Sequence, residues 1–333
     1  MNMQRNLNFD LIRSLACFFV VCIHCIGYVD ELHETQGFSF HGNLLYFLWK
    51  NIICTAVPFF VMLSGALLLS GKETPPYQFL MKRLKRILIP FMSWSIILFI
   101  LTIYKEHWSV SPELIPKFAI MFCTNGVHSV YWYVYMIIGL YLMTPILKPF
   151  FIKADIKQIN YCVLLTVAFF IARALWKNDV QWVKGFHWSY FTCLAYYILG
   201  YAITHFYQKM KYFKLISFLL FVASLMINMG WCLIFNEMNE HLQFFLYVSL
   251  FCVFLNFKIS FSGIKLKVLE FISNCSYSIY LSHVVLVSAM VMFGFTHILP
   301  LWIMPLAMAL IVFFIECIGQ WVIMKIGLKK YFW

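Results

Sequence analysis

The chain has 333 residues, of which 63% are hydrophobic and only 11% are charged. A soluble globular domain carries about a quarter charged residues, so this composition excludes an ordinary soluble protein and predicts an integral membrane protein. The net charge of +12 would suggest a nucleic-acid partner in a soluble protein. In a membrane protein it follows from basic loops on one side of the bilayer, and we expect no nucleic-acid partner.

Ten apolar spans follow one another along the chain, most of them close to the roughly 20 residues that a helix needs to cross a bilayer. They lie near residues 9–29, 51–71, 90–105, 130–147, 159–176, 190–207, 214–235, 242–257, 268–293 and 302–325. We therefore predict an all-α fold, a polytopic membrane bundle of about ten transmembrane helices.

Positive charge is distributed unevenly over the loops between these spans. Of the 25 Lys and Arg residues, 18 fall on one side of the predicted bundle and five on the other, and Arg13 and Arg173 lie within spans. Short cytoplasmic loops are enriched in Lys and Arg, so we expect both termini in the cytoplasm. The longest polar stretches, 30–50 and 106–129, are short enough to be loops. We expect a single transmembrane domain over residues 1–333, without a soluble domain.

The first span carries two strongly polar residues, Arg13 and His24. Eleven helical residues turn through about 1100°, close to three full turns, and rise by about 16 Å. The two side chains therefore share one face of the helix at different depths. Polar residues inside a membrane are expensive and normally mark a pathway or a site. A ligand with a phosphate-rich head and an extended arm would fit between them.

Structural roles are the alternative for both residues. Arg13 could form an ion pair with Asp10, one turn earlier on the same helix, or with Glu316 in the last span. His24 could be a core histidine bonded to a neighbouring helix. Cys22 and Cys25 flank His24, but a structural zinc site needs four converging ligands. No second cysteine pair of this kind occurs in the sequence, so we expect no metal.

Four segments of the chain, taken together and in this order, carry a family resemblance. They are Asp10–Ala16 with the following His24, Val57–Gly65, Tyr131–Pro145 and Ser276–His283. This chain resembles the acyltransferase family 3 membrane proteins over essentially its whole length. It departs from the usual family pattern at Ser14, where Gly is common, and at Ala66, where an aromatic residue is common.

The resemblance implies an acyl-CoA donor on the cytoplasmic side and a carbohydrate hydroxyl as acceptor on the outer side. The acceptor would be an extracytoplasmic or lipid-linked glycan. The chain is similar to the stand-alone O-acetyltransferase members, such as the enterobacterial common antigen O-acetyltransferase, since the fused hydrolase-like domain of other members is missing. We expect acetyl-CoA as co-substrate, contact with membrane lipid, and a location in the bacterial cytoplasmic membrane.

His24 and Arg13 receive the central roles in this interpretation. Acyl transfer to a sugar hydroxyl needs a base for the hydroxyl proton, and an imidazole suits that task near neutral pH. We assign this role to His24. Arg13 offers a planar fork of donors that matches phosphate, so we expect it to bind the donor. Asp10 or Glu316 could orient its guanidinium at the same time.

Other candidates are less specific. Arg83 and Arg86 resemble a family Arg-x-x-Arg element that would bind the phosphates of the donor, but basic residues in this loop also follow from topology. His283 could be a second base, a partner of the acyl carbonyl or a helix contact. Arg173 could orient an acidic or phosphorylated acceptor, or extend to the membrane interface.

The sequence therefore predicts an integral membrane O-acyltransferase that uses His24 as general base. The alternative is a transporter or flippase for a lipid-linked saccharide, in which the buried charges would line a translocation route. The two hypotheses differ in whether acyl-CoA is consumed.

Overall fold

The computed structural model describes residues 5–36, 44–175, 188–235, 238–295 and 303–333. In these ranges the chain is helical, as predicted. The helices are α1 Leu7–Gln36, α2 Leu44–Ile53, α3 Ala56–Leu68, α4 Pro76–Lys105, α5 Leu114–Cys123, α6 Trp132–Lys153, α7 Ile156–Leu175, α8 Trp188–His205, α9 Phe213–Phe235, α10 Glu240–Leu255, α11 Gly263–Met292, α12 Met304–Lys325 and α13 Lys329–Phe332. Short 3-10 turns precede α6 and follow α8.

Seven segments of the described chain are long and apolar enough to cross a membrane. They are Leu7–Tyr28, Tyr46–Leu68, Pro76–Lys105, Ser129–Lys153, Phe213–Phe235, Gly263–Met292 and Met304–Lys325. The predicted spans 159–176, 190–207 and 242–257 coincide with α7, α8 and α10. The count of ten membrane spans and the cytoplasmic position of the termini remain predictions.

The second predicted span differs most from the structure. It begins at Tyr46 and is divided into α2 and α3 by a turn at Cys54 and Thr55. Pro58 favours the break, because proline has no N–H to donate to the preceding turn and fits best in the first turn of a helix. The structure places it in the first turn of α3.

Helices α1 and α11 lie side by side and run in the same direction. From Arg13 to Tyr28, four contacts between them join residues that are 259 or 260 positions apart. These contacts are Arg13 with Ser273, Cys17 with Ser276, His24 with His283, and Tyr28 with Ser288. Depth along one helix therefore corresponds to depth along the other.

Both ends of the described chain lie near the beginning of α11. Arg5 donates to Asn274 at 3.3 Å, and the ring of Trp333 lies 5.8 Å from that of Phe271. The start of α1 and the C-terminal turn α13 are thus on the same side of the bundle.

Two glycines allow α3 and α8 to pack with their backbones in contact. A Cβ atom at Gly65 would lie 1.8 Å from the carbonyl oxygen of Tyr197, and one at Gly200 would lie 1.9 Å from that of Met62. Small residues at helix interfaces permit this close approach in membrane proteins. Gly65 therefore has a packing role. It holds α3 where Phe60 and Ser64 border a cavity that is also lined by Arg13 of α1.

We expect Gly65→Ala to lower the free energy of unfolding by about 1 to 3 kcal/mol, because the added methyl group forces the two backbones apart. The measurement is thermal unfolding of the purified protein in detergent. Gly230→Ala in α9 is the matched control, since a Cβ there meets no atom within 4 Å. Equal melting temperatures for the two variants would contradict this account of the contact.

Candidate functional site

The main polar cavity of about 360 Å³ lies between α1, α3, α4, α6 and α11. Three arginines, Arg13, Arg83 and Arg86, line it together with Tyr133 and Tyr280. Within the described part of the chain, its lining includes no Asp or Glu. The three predicted arginines, one from α1 and two from α4, are thus brought together around one space that suits an anionic ligand.

Arg13 is held at the wall of this cavity by a small polar network. Its Nη1 atom donates to the hydroxyl of Ser273 at 3.2 Å, and that hydroxyl donates to Asp10 at 2.6 Å. Asp10 itself accepts two hydrogen bonds from Arg5, at 2.5 and 3.0 Å. The direct distance from Arg13 to Asp10 is longer, 3.9 Å. The negative charge of Asp10 is therefore compensated mainly by Arg5. The guanidinium of Arg13 is left available to a ligand.

Glu316 has different partners from those expected. The sequence suggested that it could pair with Arg13. In the described chain it accepts from Ser282 at 2.5 Å and from Gln320 at 3.4 Å. Arg13 lies beside Ser273, nine residues and about 14 Å earlier along α11. Arg13 and Glu316 do not pair in the described chain, because Glu316 lies much deeper than Arg13, close to the level of His283.

His24 and His283 face each other across the α1–α11 interface. Their ring centroids are 5.1 Å apart with an angle of 35° between the planes. His283 is fully buried, and its Nδ1 atom lies 3.1 Å from the carbonyl oxygen of Ile279. A carbonyl can only accept, so Nδ1 carries the proton. The Nε2 atom of His283 then has a free lone pair and no hydrogen-bond partner among the described residues.

A layer of tyrosines separates the arginine-lined cavity from the two histidines. Tyr133 and Tyr280 line the cavity, whereas neither histidine is among the described residues that do. The ring of Tyr280 lies 5.4 Å from that of Tyr133 and 6.1 Å from that of His283. Its hydroxyl donates to the carbonyl of Val130 at 2.5 Å. Arg13 and His24 thus lie on opposite sides of this layer.

The segment His128–Tyr131 lies next to α11 at the level of the histidines. The hydroxyl of Tyr131 donates to Leu281 at 2.9 Å, and Val130 accepts from Tyr280. His128 accepts from the backbone N–H of Val130 through Nδ1 at 3.3 Å. It is close enough to interact electrostatically with both His24 and His283.

His128 is a residue that sequence reasoning missed. Burial lowers the pKa of its imidazole, so the ring is neutral at physiological pH and carries its proton on Nε2, because Nδ1 is an acceptor. No local pattern singled it out, since it lies in a loop and approaches the other histidines only through the packing of α11. Ser273 was also missed for this reason. Tyr133 and Tyr280 lie in segments that carry the family resemblance, but nothing in the sequence assigns them a role.

Two further predictions concern residues away from this centre. Arg173 falls within α7, but its side chain lies outside the described residues. Cys22 and Cys25 are buried free thiols in an apolar cluster with Val21 and Ile26. In the described ranges, no three His, Cys, Asp or Glu residues come together as metal ligands.

Comparison with known proteins places the chain in a family. A family model described as an acyltransferase domain matches residues 6–324. Two Staphylococcus aureus proteins, from strains Mu50 and MRSA252, are each 23% identical over 340 residues, with 94% of this chain and 91% of the relative covered. Both are named "Probable poly-beta-1,6-N-acetyl-D-glucosamine export protein". No solved structure matches the chain.

The family match covers nearly the whole chain, in agreement with the resemblance of the four sequence segments. The closer likeness to the enterobacterial common antigen O-acetyltransferase remains a prediction. With several helices able to cross a bilayer, the chain belongs to acyltransferase family 3 and is a multi-pass membrane acyltransferase.

Proposed function

We propose that this protein transfers an acetyl group from cytoplasmic acetyl-CoA to a hydroxyl of an extracytoplasmic or lipid-linked carbohydrate. One observation supports the proposal most strongly. Three arginines surround a cavity whose described lining has no carboxylate, and Tyr280 of that lining contacts His283, which faces His24.

The charges of the cavity suit the phosphates of coenzyme A. Arg13 and Arg86 are close enough to repel each other, and an anion between them would relieve that repulsion. Guanidinium groups bind phosphate through paired hydrogen bonds. From Arg13 to His24 the rise along α1 is about 16 Å, a distance comparable to that spanned by an extended phosphopantetheine arm. The thioester would then lie near the histidines.

The two histidines have different roles in this proton transfer. His24 removes the proton of the acceptor hydroxyl while the hydroxyl oxygen attacks the thioester carbonyl. The carbon–sulfur bond breaks, and the leaving thiolate takes the proton back from His24. The free Nε2 of His283 can accept the other N–H of His24 and so fix its tautomer. A short-lived acyl-histidine is the alternative route.

The tyrosine layer has to open for this reaction. Tyr133 and Tyr280 close the inner end of the cavity, so a thioester bound there reaches His24 only if their rings move apart. Closure in the absence of donor would keep the outer compartment separate from the donor cavity.

Export of a saccharide is the second candidate function, because the two relatives are named as export proteins. That activity would move the glycan across the membrane without consuming acyl-CoA. The two functions are therefore separated by whether thiol release and glycan acylation depend on His24 and His283.

We expect His24→Ala to lower the release of free thiol from acetyl-CoA by at least about 100-fold, since a general base contributes about 10² to 10⁴ to the rate. The assay uses membrane vesicles that contain the envelope glycans of the host. His283→Asn is the second variant, because its amide can still donate to Ile279 but offers nothing in place of Nε2. Thiol release should fall there as well.

His205→Ala is the matched control for the histidine variants. His205 lies at the end of α8, where its ring is bonded to Thr204 and Tyr201, and we expect normal turnover. Mass spectrometry of the glycans should show one acetyl increment per transfer. If purified wild-type protein neither binds nor consumes any acyl-CoA, the proposed enzyme function is wrong.

We expect Arg83→Gln to raise the KM for acetyl-CoA about tenfold or more, because loss of one phosphate contact costs on the order of 1.4 kcal/mol or more. The maximal rate should change little. Lys82→Gln removes the same charge from the neighbouring position, whose side chain is exposed and outside the cavity lining. Equal KM values for the two variants would show that Arg83 does not contact the donor.

A further inference from the structure

The C-terminal turn α13 returns to the wall of the arginine-lined cavity. Trp333 lines this cavity together with Arg13, Arg83 and Arg86. Its ring packs against Phe271 of α11 at 5.8 Å. The turn is attached to α4 through Phe332, whose ring lies 5.2 Å from Trp94 in an edge-to-face contact. An aromatic platform is thus fixed beside the three guanidinium groups.

The indole of Trp333 has an unused donor. Its Nε1 atom is buried and has no hydrogen-bond partner among the described residues, although buried donors are nearly always paired. The ammonium of Lys329 lies 4.6 Å from the ring centroid. Aromatic surface, one N–H donor and a nearby cation together match a ligand that is flat, rich in acceptors and attached to phosphate.

The position of Trp333 along α11 gives the order in which a ligand would meet these groups. Phe271, which contacts Trp333, precedes Ser273, which contacts Arg13, and Tyr280 and His283 follow. On α11, the residue that contacts Trp333 therefore lies about 3 Å before the residue that contacts Arg13, on the side away from the histidines. Acetyl-CoA has the same order of parts: thioester, pantetheine arm, phosphates and, at the far end, adenosine.

We propose that Trp333 forms the subsite for the adenine base of the donor, with the base stacked on the indole ring. This inference rests on the proposed function and specifies how the site distinguishes coenzyme A from simpler thioesters. Base stacking on an aromatic side chain is strong enough to change affinity about tenfold or more. A subsite for the base binds the donor without contributing to the chemical step.

The test compares two donors, acetyl-CoA and S-acetylpantetheine, which lacks the nucleotide. Trp333→Ala should raise the KM for acetyl-CoA about tenfold and leave both kcat and the KM for S-acetylpantetheine unchanged. Trp333→Phe should restore most of the affinity, because phenyl still stacks. Trp321→Ala is the matched control: Trp321 is 51% exposed on α12, carries a similar lysine contact from Lys325, and is not in the cavity lining.

A direct binding measurement keeps the result independent of turnover. The dissociation constant of coenzyme A for each purified variant should follow the KM values, with unchanged melting temperature for Trp333→Phe. The inference is wrong if Trp333→Ala affects both donors equally, or affects neither, while the wild-type protein is active. Failure of the wild-type protein to bind coenzyme A or to use either donor would instead overturn the proposed function itself.

Discussion

The parallel contact between α1 and α11 is the constraint on which the rest of the site depends. A constant offset of 259 to 260 residues places Arg13 beside Ser273 and His24 beside His283. A shift of one residue would rotate the facing side chains by about 100° and separate both pairs. Phe271 of α11 also packs against Trp333 at the wall of the cavity. Anion-binding groups and imidazoles are thereby arranged along one axis, with the depth of each fixed by two helices.

The charges near this axis are unevenly compensated. Asp10 is 3% exposed and accepts hydrogen bonds from Arg5 and Ser273, so its charge is largely satisfied within the protein. Arg83 and Arg86 have no such partner among the described ion pairs. Arg86 is exposed and Arg83 partly exposed, so both are accessible to a soluble anion. The uncompensated positive charge of the cavity is thus a reason for it to bind an anion, and it indicates where that anion would lie.

The sequence predicted the parts of this arrangement that depend on local periodicity. The helical class and the shared face of Arg13 and His24 follow from patterns within one segment. The family resemblance pointed to Arg83, Arg86 and His283, and the structure places the two arginines at the cavity wall and His283 beside His24. The depth of Glu316 relative to Arg13 could not be predicted, because it depends on the packing of α12 against α11. The break between α2 and α3 was missed although Pro58 signals it. His128 and the tyrosine layer become visible only when residues about 150 positions apart are brought together.

In the proposed reaction, the tyrosine layer would separate the activated thioester from the acceptor. An enzyme that binds its donor from one side and its acceptor from the other has to exclude water and keep the two compartments apart between turnovers. Tyr280 is suited to that task, because its hydroxyl donates to Val130 in the segment that follows His128 while its side chain borders the arginine-lined cavity. Rotation of this side chain would release the bond to Val130 at the same time as it opens the way to His283. Opening of the tyrosine layer and release of the segment beside His128 would then be one event, because both depend on the side chain of Tyr280.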